Sequence, residues 1–202
     1  PVLPAELLGR PCPDFKFRLL DGGEITRQDL AGKVAFLMFW TIRDPAMQQA
    51  LVDIERKMAK VVDAEKDATF LAVLTDPVNV VSDANVKEGL AQLKVNLKVA
   101  RMVDQDPIKT FRLPGQPTTL FVSRDGVVQD FFIGFGPAQF DQTKEVLQSL
   151  LANKTLHVRA LGQIADYRRQ YEEQLVLAKR DPVAIAAPAA KSDPQHARIK
   201  SL

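Results

Sequence analysis

Leu30-Ala-Gly-Lys-Val-Ala-Phe-Leu-Met-Phe-Trp40-Thr-Ile-Arg-Asp44-Pro45 is the stretch on which the fold turns. From Val34 to Trp40 every residue is apolar and no polar residue alternates with them, the pattern of a strand covered on both faces. The same run is far short of the roughly 18–20 apolar residues a helix needs to span a bilayer, so it reads as the middle of a buried sheet. Strand then gives way to helix. Apolar residues recur from Met47 at Leu51, Ile54, Met58, Val61 and Val62 with helical spacing. Asp44 fits the N-cap, where a carboxylate accepts from free backbone N–H groups, and Pro45 fits the first helical position, where no N–H is needed.

Working outward, Phe15-Lys-Phe-Arg-Leu alternates apolar and charged residues as an outer strand does, and Asp21-Gly-Gly follows as a turn. Thr69 to Leu74 reads as a second buried strand, Asp83 to Leu93 as a helix, and Lys98 to Val103 as a short extended segment. Asp106-Pro107 predicts another capped short helix through Phe111. Leu113-Pro-Gly-Gln-Pro117 is a proline-punctuated loop feeding the strand Thr118 to Val122, and Arg124-Asp-Gly126 turns it into a return strand, Val127 to Ile133. A helix from Pro137 to Leu151 closes the pattern. This order predicts an α/β domain with a mixed central sheet flanked by helices. Residues 1–153 are expected to form that domain and 154–180 an extension helix. Leu161, Ile164, Tyr171, Leu175 and Ala178 form that helix's apolar seam, interrupted by Arg168. The Ala/Pro/Lys-rich stretch 181–202 is expected to be a flexible tail.

Composition narrows the function. The 202 residues are 46% apolar, enough for a real core, and 27 basic against 25 acidic residues leave a net charge of +2. That balance supplies no uniform basic field of the kind that binds phosphate backbones, so no nucleic-acid partner is expected. One cysteine, Cys12, rules out an internal disulfide and any dithiol cycle within the chain. With only His157 and His196 as histidines, no cysteine- or histidine-rich zinc site can be assembled, and no metal or other cofactor is expected. The chain starts at Pro1 rather than methionine, which leaves an upstream signal or anchor open.

Four segments, in order over about residues 8 to 152, resemble the thioredoxin-like redoxins of the TlpA/ResA and AhpC/TSA type. Gly9-Arg-Pro-Cys-Pro-Asp-Phe15 is similar to the family's Gly-x-Pro-Ala-Pro-Asp-Phe opening. Leu30 to Trp40 is similar to its central strand, Gly115-Gln-Pro117-Thr-Thr-Leu-Phe-Val122 to the segment carrying its cis-proline, and Arg124-Asp-Gly126 to the hairpin turn that follows. The resemblance implies a thioredoxin-like fold, a role in cell redox homeostasis, and a location that is exported, periplasmic or membrane-anchored. It also places the family's Cys-x-x-Cys dithiol on Asp44 and Met47, with the preceding tryptophan on Arg43. A peroxiredoxin alignment, Thr-x-x-Cys, runs Thr41-Ile-Arg-Asp44 and again ends on a carboxylate.

A helix N-terminus can activate a thiolate, but a carboxylate there has no two-electron sulfur couple to cycle. The expected function is therefore non-catalytic: a binding or scaffold module, one piece of a larger exported protein. Its candidate peptide groove is formed by Trp40, Arg43, Gln116 and Pro117, with a cis bond before Pro117, and the 156–179 helix is a second candidate surface for a protein partner. Trp40 also reads as core, and Asp44 as a plain cap with Arg43 as its ionic partner. The alternative is a thiol-disulfide oxidoreductase or peroxiredoxin-like antioxidant enzyme using Cys12 or a partner's thiol. Against that stands a small residue at the family's alanine position, with no basic cluster nearby in sequence to lower its pKa.

Overall fold

The computed structural model describes residues 4–102 and 104–180. The expected tail, 181–202, lies outside the described residues.

The apolar run forms β3 (Val34–Trp40), and all seven residues are buried. Burial on both faces requires neighbours on both edges. On one side it pairs in parallel with β4 (Ala68–Leu74), Val34 opposite Ala68 and Trp40 opposite Leu74. On the other it pairs antiparallel with β6 (Thr118–Val122), Phe36 opposite Phe121. The seven strands run in the order β2-β1-β5-β4-β3-β6-β7, where β1 is Lys16–Leu19, β2 Glu24–Thr26, β5 Val99–Met102 and β7 Val128–Ile133. The sheet is mixed because the β3–β4 and β4–β5 pairs are parallel while the remaining pairs are antiparallel.

The expected outer strand β1 is not outermost. Asp21-Gly-Gly folds the chain back as β2, which covers β1 with Phe17 opposite Ile25. A three-residue strand with one buried residue carries too little alternation to be seen in sequence.

Side chains alternate across β3. Val34, Phe36, Met38 and Trp40 point into one core, filled by Met47, Leu51 and Ile54 of α1 (Pro45–Ile54), Val86 and Leu90 of α3 (Asp83–Gln92), and Val146, Leu147 and Leu150 of α5 (Pro137–Leu151). Ala35, Leu37 and Phe39 point into the other, with Phe15, Phe17 and Phe111. There Phe15 and Phe17 stack with centroids 4.1 Å apart, and Phe39 and Phe111 meet at a tilt with centroids 4.6 Å apart. Such pairs add about 0.5–1.5 kcal/mol each beyond area burial. The first helix continues past α1 through a π-turn, Glu55–Ala59, into α2 (Lys60–Asp63), and a one-turn helix α4 (Pro107–Thr110) precedes β6.

The last helix, α6 (His157–Arg180), buries only Ile164 of the expected seam among the residues whose side chains are described. Ala160 and Ile164 are buried in the second core, whereas Leu161, Tyr171 and Leu175 are exposed. Its buried residues lie in the first two turns, Tyr167 is half-buried, and residues 168–176 are exposed. Its free N-terminal groups are met from the sheet: Gln129 Oε1 of β7 accepts from Leu156 N at 3.0 Å and His157 N at 3.4 Å. That side-chain oxygen does the work of an N-cap from a distant strand.

Candidate functional site

The parallel strands β3, β4 and β5 all end on one side of the sheet, and the loops that follow them converge there with the β5–β6 connection. After Trp40 the chain turns through Thr41-Ile-Arg to Asp44, whose backbone is extended and whose carboxylate accepts from Ala46 N at 2.9 Å. Asp44 is thus the N-cap of α1, with Pro45 in the first turn. Met47, one turn on, is 1% exposed and packs in the first core.

The residue that organises this corner is Asp76, just past β4. Its side chain is 1% exposed and accepts from Thr41 Oγ1 at 2.8 Å, from Ile42 N at 2.9 Å and from Arg43 Nε at 2.7 Å. A buried carboxylate is tolerated only with such full satisfaction. Arg43 therefore pairs with Asp76 and not with its sequence neighbour Asp44. The rest of the Arg43 side chain, 64% exposed, stands at the surface. Next to it, Thr75 Oγ1 donates to Trp40 O at 3.0 Å and accepts from Gln116 Nε2 at 2.6 Å. The bond between Gln116 and Pro117 is cis. Hydrogen bonds thus link the proline loop through Thr75 to the end of β3, and Asp76 links the next loop to the start of α1.

Of the four groove candidates, Arg43 is exposed, Gln116 half-buried and Pro117 buried, and the first two are tied to the adjacent residues Asp76 and Thr75. Trp40 is not part of it: at 0% exposure it fills the first core, and its indole Nε1 has no partner among the described residues. Its place at the last position of β3, facing the helices, removes it from the groove. Asp76 and Thr75 were missed in sequence. The only signal for them is the Thr75-Asp-Pro77 punctuation at the end of a buried strand, which marks a loop without saying what it binds.

Cys12 lies on the far side of the sheet from α1, in the second core, 2% exposed. Its amide donates to Gly126 O at 2.8 Å, which straps the N-terminal segment along the β6–β7 hairpin. Burial pushes the thiol up to about 12, and the charge of Arg27 pulls only partly against that. Arg27, unseen as a neighbour in sequence, donates to the Cys12 carbonyl at 3.3 Å and pairs with Asp14 at 2.8 Å. Gly9, the first residue of the same segment, adopts φ +73°, and a Cβ there would lie 2.7 Å from the His157 ring. Only glycine combines that backbone with that contact.

Among the described residues no helix is long and apolar enough to cross a membrane, and no group of three or more metal-ligating side chains comes together.

The comparisons agree with this arrangement. The chain is similar to the thiol-disulfide oxidoreductase ResA of Bacillus anthracis, with 28% identity over 148 residues, 73% of this chain and 79% of that protein. Among solved structures it is similar to the pneumococcal exposed lipoprotein thioredoxin of Streptococcus pneumoniae, at 26% identity and a TM-score of 0.56 over 68% of this chain and 99% of that one. A thioredoxin-family thiol:disulfide interchange protein of Chlorobium tepidum matches at 20% identity and a TM-score of 0.55, over 70% of this chain and 95% of that one. This second likeness speaks to the fold. A family model described as the AhpC/TSA family matches residues 8–131, and these residues carry the central strand, the cis-proline and the buried Cys12. This chain therefore belongs to the AhpC/TSA family of thioredoxin-like redoxins.

Proposed function

We propose that this chain is a redoxin-fold binding module that has exchanged dithiol chemistry for recognition, and that it works outside the cytoplasm. One observation carries the reading: the chain has a single cysteine, and that thiol is 2% exposed in the core on the opposite face of the sheet from α1, the helix at whose start the family's dithiol belongs. Disulfide exchange needs an accessible thiolate and a second sulfur to resolve the mixed disulfide. Asp44 stands where the family's first cysteine would be, and there it serves as a helix cap. Met47 stands at the second position and serves as core. The corner built by Arg43, Asp76, Thr75 and Gln116 is fixed by hydrogen bonds and is offered to an extended segment of a protein partner, which lies along Gln116 and cis-Pro117. Relatives described as an exposed lipoprotein and a secreted protein support the extracytoplasmic setting.

The test is an assay of disulfide reduction and peroxide consumption by the wild-type chain, with Cys12→Ser as control, beside the double variant Asp44→Cys/Met47→Cys. The wild type should match the thiol-free control, and the double variant should reduce a disulfide substrate. Turnover by the wild type that disappears in Cys12→Ser would overturn the proposal and favour a one-cysteine enzyme.

A further inference from the structure

A cleft of about 430 Å³ opens at the ends of β4 and β5, and two of the residues that line it, Thr75 and Asp76, belong also to the corner described above. The junction is close. Gln116 Nε2 donates to Thr75 Oγ1 at 2.6 Å, so the side chain beside the cis-proline is bonded to a residue of the cleft wall. An extended segment advances about 3.3 Å per residue, and one that lies along Gln116 toward Thr75 therefore comes over the cleft within a few positions.

Charge, lining and stiffness say what the cleft accepts. On its wall, or bonded to it, Arg18, Arg101 and Arg43 stand against Asp83, Asp76 and Asp106, three cations to three anions. Asp83 accepts from Arg101 Nε at 2.8 Å and pairs with Arg18 Nη2 at 2.7 Å, while Asp76 pairs with Arg43. Asp106 caps α4 by accepting from Ile108 N at 2.9 Å, and its charge counts in full. A charged group that entered would give up water and meet no net opposite charge. The rest of the lining is largely apolar: Leu74, Pro77, Met102 and Pro107, with Val78 58% exposed. The wall is also held. Arg101, 3% exposed, donates to the carbonyls of Asp76 and Val81 and so clamps both ends of the 76–81 loop that carries Val78. A preformed wall spares a ligand the cost of ordering it.

We infer that this cleft is a side-chain pocket for the partner segment, and that it takes an uncharged aliphatic residue of that segment against Val78 and Pro107, a few positions from the residue at Gln116. The volume lies in the range of small-ligand sites, roughly 300–1,000 Å³, which is ample for one side chain. Leucine, isoleucine, valine and methionine fit this chemistry, and aspartate, glutamate and lysine do not. The inference rests on the reading that an extended segment lies along Gln116 and cis-Pro117, and it adds which residue that segment carries.

Selection of a phage-displayed library of random dodecapeptides on the full chain tests it. The enriched peptides should share an aliphatic residue at one fixed position. A synthetic copy of the strongest binder, acetylated and amidated at its ends, should move the amide signals of Val78, Asn79 and Gln105 together with those of Gln116 and Thr118. Aspartate or lysine at the shared position should each weaken binding about tenfold or more, the scale of one lost aliphatic contact. A loss with both signs of charge is what a wall without net charge requires. In the chain itself, Val78→Asp changes an exposed position, so the spectrum should stay dispersed and the Gln116 shifts should persist at saturating peptide while the aliphatic preference disappears. Peptides that move Gln116 and Thr118 but not the cleft, or that tolerate aspartate or lysine at the shared position, would overturn the pocket and leave the binding-module reading standing. Shifts at the cleft alone would break its link to the groove and overturn the inference, and a library that yields no binder would overturn both.

Discussion

Raising the pH or adding a thiol reagent perturbs Cys12 directly, and the structure fixes the size of the response. At neutral pH a thiol titrating near 12 rather than 9.0 has about a thousandfold less thiolate, the only reactive form. Burial to 2% adds a steric barrier, because a reagent cannot reach sulfur under the 9–12 segment without opening it. Labelling of the native chain by an aromatic disulfide reagent, followed by absorbance, should therefore run at least about a thousandfold slower than labelling of a small free thiol. Denaturant should bring the rate up to that of the small thiol.

The same group links stability to pH. The folded chain keeps its proton up to about 12, whereas the unfolded chain releases it near 9, so the contribution is whole below pH 9 and is lost as pH rises toward 12. The slope is about 1.4 kcal/mol per pH unit, and it should vanish in Cys12→Ala when the two proteins are unfolded by urea side by side. A native labelling rate within tenfold of a free thiol, or identical pH slopes in the two proteins, would refute the reasoning.

Other outcomes follow from the same geometry. Asp44→Ala removes the α1 cap and should cost about 0.5–2 kcal/mol in urea unfolding, while Asp44→Asn or Ser should recover most of it. Asp76→Ala strands Thr41 and the Ile42 amide. Arg43 is exposed enough to return to water, so the loss should be nearer about 1–3 kcal/mol than the larger figure for a fully buried pair, read as a fall in melting temperature. Gln129→Ala uncovers the amides of Leu156 and His157, and hydrogen exchange should speed at residues 156–164 well before it does in β3.

What the sequence disclosed depended on how many residues shared a signal. Val34 to Trp40 announced β3 because seven apolar residues in a row leave no face for water, and Asp44-Pro45 announced a helix start because capping is local chemistry. The same local logic found α4 at Asp106-Pro107. β2 escaped because its single buried residue, Ile25, has no period. The seam of α6 misled because spacing says which residues share a face, not how far the partner surface extends: Ile164 reaches the core and Tyr171 does not. At the site, Arg43 and Gln116 were legible through their place beside a cap and a proline. Asp76 was not, since its three donors come from residues 33 to 35 positions away, a closeness that only the parallel pairing of β3 and β4 creates.

The strap that carries Cys12 has a consequence for how this protein meets others. Gly9 N donates to Val128 O and Val128 N to Arg10 O, both at 2.9 Å, and Pro11 bridges Val127. The start of the last strand thus has its outward hydrogen-bonding groups already taken by its own chain. The opposite margin of the sheet, β2, is three residues long and bears the Lys16–Glu24 ion pair on its flank. Short, charged and pre-occupied margins are what keep sheets from adding foreign strands, so capture of a partner by sheet extension is disfavoured at both. With sheet extension disfavoured at β2 and at the start of β7, the recognition surface proposed above falls to the loops beyond β3, β4 and β5, where side chains and not free backbone groups would make the contacts.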